Sequence, residues 1–280
     1  MNKIFHFSLL QDDCLDPLLT KRINEQLSSR FTTVFEVCDD FLLIQFHWYH
    51  LKNKPNKKSR VLLFLNREHL LIFIEDNRLR NEMQTRLQTY TNRNAANALS
   101  LFFTHLLNDD MEMIDAFEKT ITEAEDHALL DSNKDYSNKI ILFRKHLLQL
   151  KHYYNQLQVI FDGLLENENG LFDEETLRKL TILHNRIDHL QMNVSTLRDY
   201  VTQMREAYQA QVDIEQNNIM KIFTLITAIF LPLTLMVGWY GMNFKYMYEL
   251  DSIYSYPIFI LVSIFVCLIL IIYFKKRRWF

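Results

Sequence analysis

Residues 222–240, IFTLITAIFLPLTLMVGWY, followed at once by Gly241-Met242-Asn243, decide how this chain folds. The 19-residue run carries no charge and is about as long as a helix must be to cross a hydrocarbon core. A second run, YPIFILVSIFVCLILIIYF at 256–274, begins after an interval of 15 residues, and Lys275-Lys276-Arg277-Arg278 follows it. Cytosolic enzymes have no use for two such helices in tandem. The sequence therefore reads as a membrane protein with its soluble mass on the amino-terminal side.

Charge divides the chain in the same way. Residues 1–220 hold 25 basic and 32 acidic side chains, a balance of −7, whereas residues 221–280 hold 6 and 2, a balance of +4. An acidic domain repels phosphate, so no nucleic-acid partner is expected, while cations are attracted. Cys14, Cys38 and Cys267 form neither a disulfide framework nor a metal-binding pattern. The start, MNKIFHFSLLQDD, has no long apolar stretch of the signal-peptide kind. Two spans return the chain to its starting side, and the terminal basic block, with Lys221, marks that side as cytoplasmic. Trp239, Tyr240, Tyr254 and Tyr256 place aromatic rings at one interface and Trp279 at the other. The expected location is the plasma (inner) membrane, with both termini in the cytoplasm.

The soluble part reads as an α/β unit over residues 1–165. FTTVFEV and FLLIQFHWYH, between Phe31 and His50, are two strands joined at Asp39-Asp40, and Val61–Leu65 with Leu70–Ile74 form another pair. From about Arg78 the character is helical: glycine is absent before Gly163 and proline absent from 56 to 231. Asn108 to Ala128 and Ile140 to Leu165 are helix candidates, and Glu166–Gly170 is a break. A stalk helix over 173–221 is expected to continue into the first span, 222–240. The loop 241–255, the second span 256–274 and the tail 275–280 complete the division. Uninterrupted from Asp173 to Tyr240, the helix has 68 residues and measures roughly 100 Å.

Along that stalk Leu180, Leu183, Ile187, Leu190, Val194, Leu197, Val201, Met204 and Tyr208 follow steps of three and four, a heptad stripe for supercoiled packing. It reads equally as a coiled coil within one chain with no signalling role. A second stripe runs through Asn217, Met220, Thr224, Thr227, Leu231, Thr234 and Gly238, mixing hydroxyls and small residues with bulky apolar groups. Several copies of such a helix can surround a pore narrowed by Met220 and Leu231. Alternatively, the threonines satisfy backbone carbonyls and Gly238 permits helix contact. Pro232 releases a carbonyl one turn earlier. Asn243 supplies an uncharged oxygen acceptor. A ring of such oxygens suits the water shell of magnesium, which gives up water reluctantly, and Gly241 allows close backbone approach where the helix ends.

At this point the chain resembles the CorA family of divalent-cation channels. The likeness extends over the whole architecture and is most specific from Asn217 to Phe280. PLTLMVGWYGMNFKYMYEL at 232–250 resembles the family's pore helix, signature and outer loop, and YFKKRRWF at 273–280 its basic end. The resemblance implies an α+β homopentameric funnel in which the first span of each subunit lines the pore. It implies a selectivity entrance at Gly241, Met242, Asn243 and Glu249, with Asn243 meeting a hydrated ion. By the resemblance Asn217, Met220, Thr224, Leu231, Thr234 and Gly238 would face or adjoin the pore, and Thr227 joins them as a pore-lining residue through the helical stripe.

Glu206 resembles an acidic position of the family's intersubunit magnesium sensor; alone it reads as a solvated helix carboxylate. The resemblance thus implies magnesium as both cargo and regulator, with no resident cofactor expected. The outer loop departs from the family's MPEL pattern, reading Met247-Tyr248-Glu249-Leu250. In a pentamer, five copies of Lys245 against ten carboxylates from Glu249 and Asp251 leave a formal loop charge of −5.

The expected function is passive magnesium uptake, gated by internal magnesium and open to cobalt or nickel. A membrane potential contributes about 4.6 kcal/mol per 100 mV to a doubly charged ion. A zinc transporter of the same superfamily is the nearest alternative, and a non-conducting membrane-tethered sensor or scaffold a more distant one. His47, His50, His184 and His189 form no catalytic set; His184 and Asp188 share a helix face as a local pair.

Overall fold

The structure is a computed structural model and describes residues 2–6, 17–28, 34–49, 58–88, 94–130, 134–242, 245, 247 and 252–277. The chain divides into two units, Met1–Arg205 and Glu206–Phe280.

In the first unit, strands β1 (Asn2–His6), β2 (Val34–Val37), β3 (Phe41–Trp48), β4 (Ser59–Asn66) and β5 (Leu70–Ile74) form a sheet in the order β1-β5-β4-β3-β2. β1 runs parallel to β5, and the other neighbours are antiparallel. The β2–β3 turn falls at Asp39-Asp40 as expected, where Cys38 N–H donates to Phe41 O at 2.9 Å. The β4–β5 turn is held by Asn66 Oδ1, which accepts from the Glu68 and His69 amides. β4 is longer than the apolar run Val61–Leu65. Phe31–Thr33 and His50, expected in strands, lie outside the described residues. β1 and helix α1 (Pro17–Ser28) were not expected.

All five residues of β5 are buried, as are Val61–Leu65 of β4, because the sheet is covered on both faces. On one face Ile23 of α1 packs with Leu43, Leu62, Phe64, Leu71 and Phe73. The other face meets α3 (Ala95–Leu106) and α5 (Lys134–Glu166). There Phe103 bridges Phe46 at 6.0 Å and Phe161 at 4.9 Å, centroid to centroid. Helix α2 (Asn77–Gln88) starts at an Asx cap, Asp76 Oδ1 accepting from Arg78 and Leu79 N–H.

Helix α4 (Asp110–Leu130) begins two residues later than the sequence reading, because Leu107–Asp109 form a turn. α5 begins earlier, since no breaker separates Lys134 from Ile140. The break after Glu166 uses Asn167 (φ 48°) and Gly170 (φ 61°), both in the left-handed region. Asn167 exchanges two hydrogen bonds with the Phe172 backbone. Asp173 then caps helix α6 (Glu174–Tyr240) by accepting from Thr176 N–H at 2.9 Å.

Within this unit the stripe from Leu180 to Met204 is buried, each residue no more than 5% exposed. It therefore packs inside the chain. Polar bonds flank it: Gln191 to Asn155, Gln158 to Asp188, and Tyr200 to Glu125. Buried Asp110 accepts from the Tyr154 hydroxyl at 3.0 Å.

The second unit contains the rest of α6 and helix α7 (Ser255–Lys276). Both are long and apolar enough to cross a membrane. Tyr240 and Phe259 meet edge-on at 5.4 Å between centroids. No α7 residue is buried, as suits a helix whose surroundings are lipid.

Candidate functional site

The polar stripe of α6 lies on one side of a regular helix that continues past Pro232. Asn217, Met220, Thr224, Thr227, Leu231, Thr234 and Gly238 are all exposed, Met220 by 58% and Leu231 by 69%. Tyr240, Met236 and Val237 of α6 instead line a groove of about 710 Å³ with Ile258, Phe259 and Val262 of α7. Residues two apart on a helix are about 200° apart around its axis. Met236 and Tyr240 consequently point away from Thr234 and Gly238. The second span takes one side of α6 and leaves the stripe uncovered.

Two threonines of the stripe have defined partners. Thr224 Oγ1 donates to Met220 O and Thr227 Oγ1 to Phe223 O, both at 2.8 Å. The threonines thus satisfy backbone carbonyls, as the sequence allowed, and this has a chemical consequence. A hydroxyl whose proton is committed to a carbonyl faces outward as an acceptor only.

At the end of α6, Gly241 N–H donates to Val237 O at 2.9 Å and Met242 N–H to Trp239 O at 3.4 Å. A Cβ at Gly241 would lie 3.1 Å from Val237 O, so this last turn favours glycine. Among the described residues no heavy atom lies within 4 Å of a Cβ position at Gly238, so the space beside it is open. Met242 is half exposed. Asn243, Glu249 and Asp251 lie outside the described residues; Lys245 is exposed.

Glu206 is exposed. Among the described residues no group of three or more His, Cys, Asp or Glu side chains is placed to hold a metal ion. His184 Nε2 lies 3.5 Å from Asp188 and 3.7 Å from Asp162, a surface pair extended to a second carboxylate.

Two polar centres in the first unit had no sequence signal. Burial, opposed by the Tyr154 hydrogen bond and Arg186, pushes the Asp110 carboxyl up to about 7. Burial lowers the basicity of His146, which packs between Phe117 and Tyr49. In sequence Asp110 looks like any acidic first-turn residue, and only the packing of α5 distinguishes it.

The fold and this surface define a membrane protein with an amino-terminal α/β domain and two spanning helices. The chain belongs to the family of CorA-like Mg2+ transporter proteins, whose model matches residues 8–276. Membership places it among transporters rather than enzymes. It is 25% identical over 244 residues to the cobalt/magnesium transport protein CorA of Thermotoga maritima, covering 85% of this chain and 70% of that protein. The magnesium transport protein CorA of Campylobacter jejuni is 37% identical over 108 residues, 38% of this chain and 33% of that protein. The complete structure of the Methanocaldococcus jannaschii CorA magnesium transporter superposes with a TM-score of 0.80 at 19% identity, over 94% of this chain and 87% of that one.

Proposed function

We propose that this chain is the subunit of a passive divalent-cation channel whose first cargo is magnesium, with cobalt or nickel as further cargo. The observation that carries the reading is the uncovered stripe from Asn217 to Gly238, on the side of α6 that α7 leaves free. In a homopentamer these stripes face one another. Asn217, Thr224, Thr227 and Thr234 line the path, Met220 and Leu231 narrow it, and Gly238 allows close approach. Gly241, Met242 and Asn243 form the outer mouth, where Glu249 adds negative charge.

The chemistry suits an ion that keeps its water. A hydrated divalent ion presents outward-pointing O–H donors. Thr224 and Thr227, their own protons bonded to carbonyls, present lone pairs to those donors. Both termini lie in the cytoplasm, following the positive charge of Lys275, Lys276 and Arg277. Residues 1–165 form the cytoplasmic domain, 173–221 the stalk, 222–240 and 256–274 the spans, 241–255 the outer loop and 275–280 the tail. Glu206 contributes to a regulatory magnesium site between subunits.

The test is magnesium entry into proteoliposomes holding wild type or Asn243→Ala, with low internal magnesium and an inside-negative potential. Saturable entry by wild type and its loss in a folded, pentameric Asn243→Ala are expected. Zinc entry without magnesium entry would reassign the cargo. No entry of either ion by inserted wild-type pentamers would point to a sensor.

A further inference from the structure

Leu107–Asp109 turn the chain from α3 into α4, and the corner is held from two other helices. From α6, Arg186 Nη2 donates to Asn108 O at 3.0 Å. From α5, Tyr154 donates to Asp110 Oδ2 at 3.0 Å. Asp110 is 6% exposed and Tyr154 1%. Beside them Tyr153, 2% exposed, has a hydroxyl with no hydrogen-bond partner among the described residues, its ring 5.0 Å from that of Tyr154. A buried carboxyl at the first residue of a long helix thus has one phenol as its partner, Tyr154, with the Tyr153 ring packed beside that phenol. Arg186 lies near enough to act on it, yet is bonded to a carbonyl instead of being paired with it.

We propose that Asp110 is a proton-operated latch for the α3–α4 corner: protonated, it seats the first turn of α4 against Tyr153 and Tyr154 of α5; ionised, it loosens that turn. A buried carboxylate with one neutral hydrogen bond is poorly compensated, whereas the neutral acid is at ease among phenols. The titratable and charged groups acting on it are Tyr153 and Tyr154 from α5, Arg186 from α6, and its neighbour Asp109.

The sign of the effect follows from linkage. The carboxyl titrates near 7 in the closed corner, against an ordinary value of 3.8 when the corner opens to water. Between those values the closed form holds the extra proton, so opening becomes more frequent as pH rises, by about tenfold per pH unit for one proton. Above about 7 it levels off.

The test is amide exchange of the first turns of α4 in the intact protein, measured from about pH 5 to 8 and corrected for the intrinsic exchange rate. In wild type the opening equilibrium should rise with pH and level near 7. Asp110→Asn, which can still accept from Tyr154, should be flat. Arg186→Gln should move the levelling point upward, because a positive charge that favours ionisation is lost. Asp109→Asn should move it downward. These opposite shifts separate a titrating latch from a structural contact. A wild-type profile shared by Asp110→Asn would overturn the proposal, as would levelling points unmoved by both charge variants. Transport is not the readout, so failure of the channel reading leaves this result interpretable.

Discussion

The ring of Phe35 occupies the space a side chain on Gly163 would need. A Cβ at Gly163 would lie 2.2 Å from Phe35 Cε1. Edge strand β2 is therefore seated against α5 at a position where only hydrogen fits. In an open helix, alanine is favoured over glycine by about 1 kcal/mol. Overpacking here acts the other way, by about 1–3 kcal/mol. Gly163→Ala is expected to lower the thermal midpoint, and adding Phe35→Leu to restore most of it. A stabilised Gly163→Ala would show that the ring moves aside freely.

His146 makes stability fall with acid. Its pKa is lowered by burial, so below the unfolded value of about 6.5 the unfolded chain takes up the proton first. Stability present at neutral pH is then lost as pH drops. His146→Phe, which suits the ring of Phe117, should reduce the loss between about pH 7.5 and 5.5. Asp110 acts with the opposite sign, so melts of the two single variants separate the contributions. An unchanged acid limb in His146→Phe would rule this account out.

If Thr224 and Thr227 serve as acceptors, the hydroxyl is what counts. Thr→Val at both positions keeps the shape and removes the oxygen, and saturable magnesium flux should drop by about tenfold or more. That corresponds to a few neutral hydrogen bonds of about 0.5–1.5 kcal/mol each. Thr→Ser at both should retain most of the flux. Equal flux in the two double variants would show that the stripe only satisfies carbonyls.

Leu231 is proposed as an apolar constriction, which resists wetting when the pore is narrow. Leu231→Ser should raise magnesium entry at high internal magnesium, where wild type is expected to be shut. Met220→Ser should do the same. Flux that stays shut in both variants would place the barrier elsewhere along α6.

The central strands and long helices were legible because their signals are local. Dense β-branched and aromatic residues marked β3, β4 and β5, and turn chemistry marked Asp39-Asp40 and the break before Asp173. β1 escaped because NKIFH is short and its partner, β5, is far along the chain. A parallel edge strand gains its identity from that pairing alone. α1 escaped for a related reason: it matters as the cover over Leu62, Phe64 and Phe73.

The same division runs through the candidate site. Length and hydropathy determined two spans, and the helical period determined which residues of α6 share a polar stripe, because both depend on neighbouring residues only. Tertiary structure decided that the Leu180–Met204 stripe is consumed inside the chain and that α7 takes the side of α6 bearing Met236 and Tyr240. It also decided that Asp110, in sequence an ordinary acidic residue, is buried against the Tyr154 hydroxyl. Periodicity says which side chains lie together on a surface. What covers that surface depends on distant elements, and coverage sets burial, proton affinity and the face left uncovered.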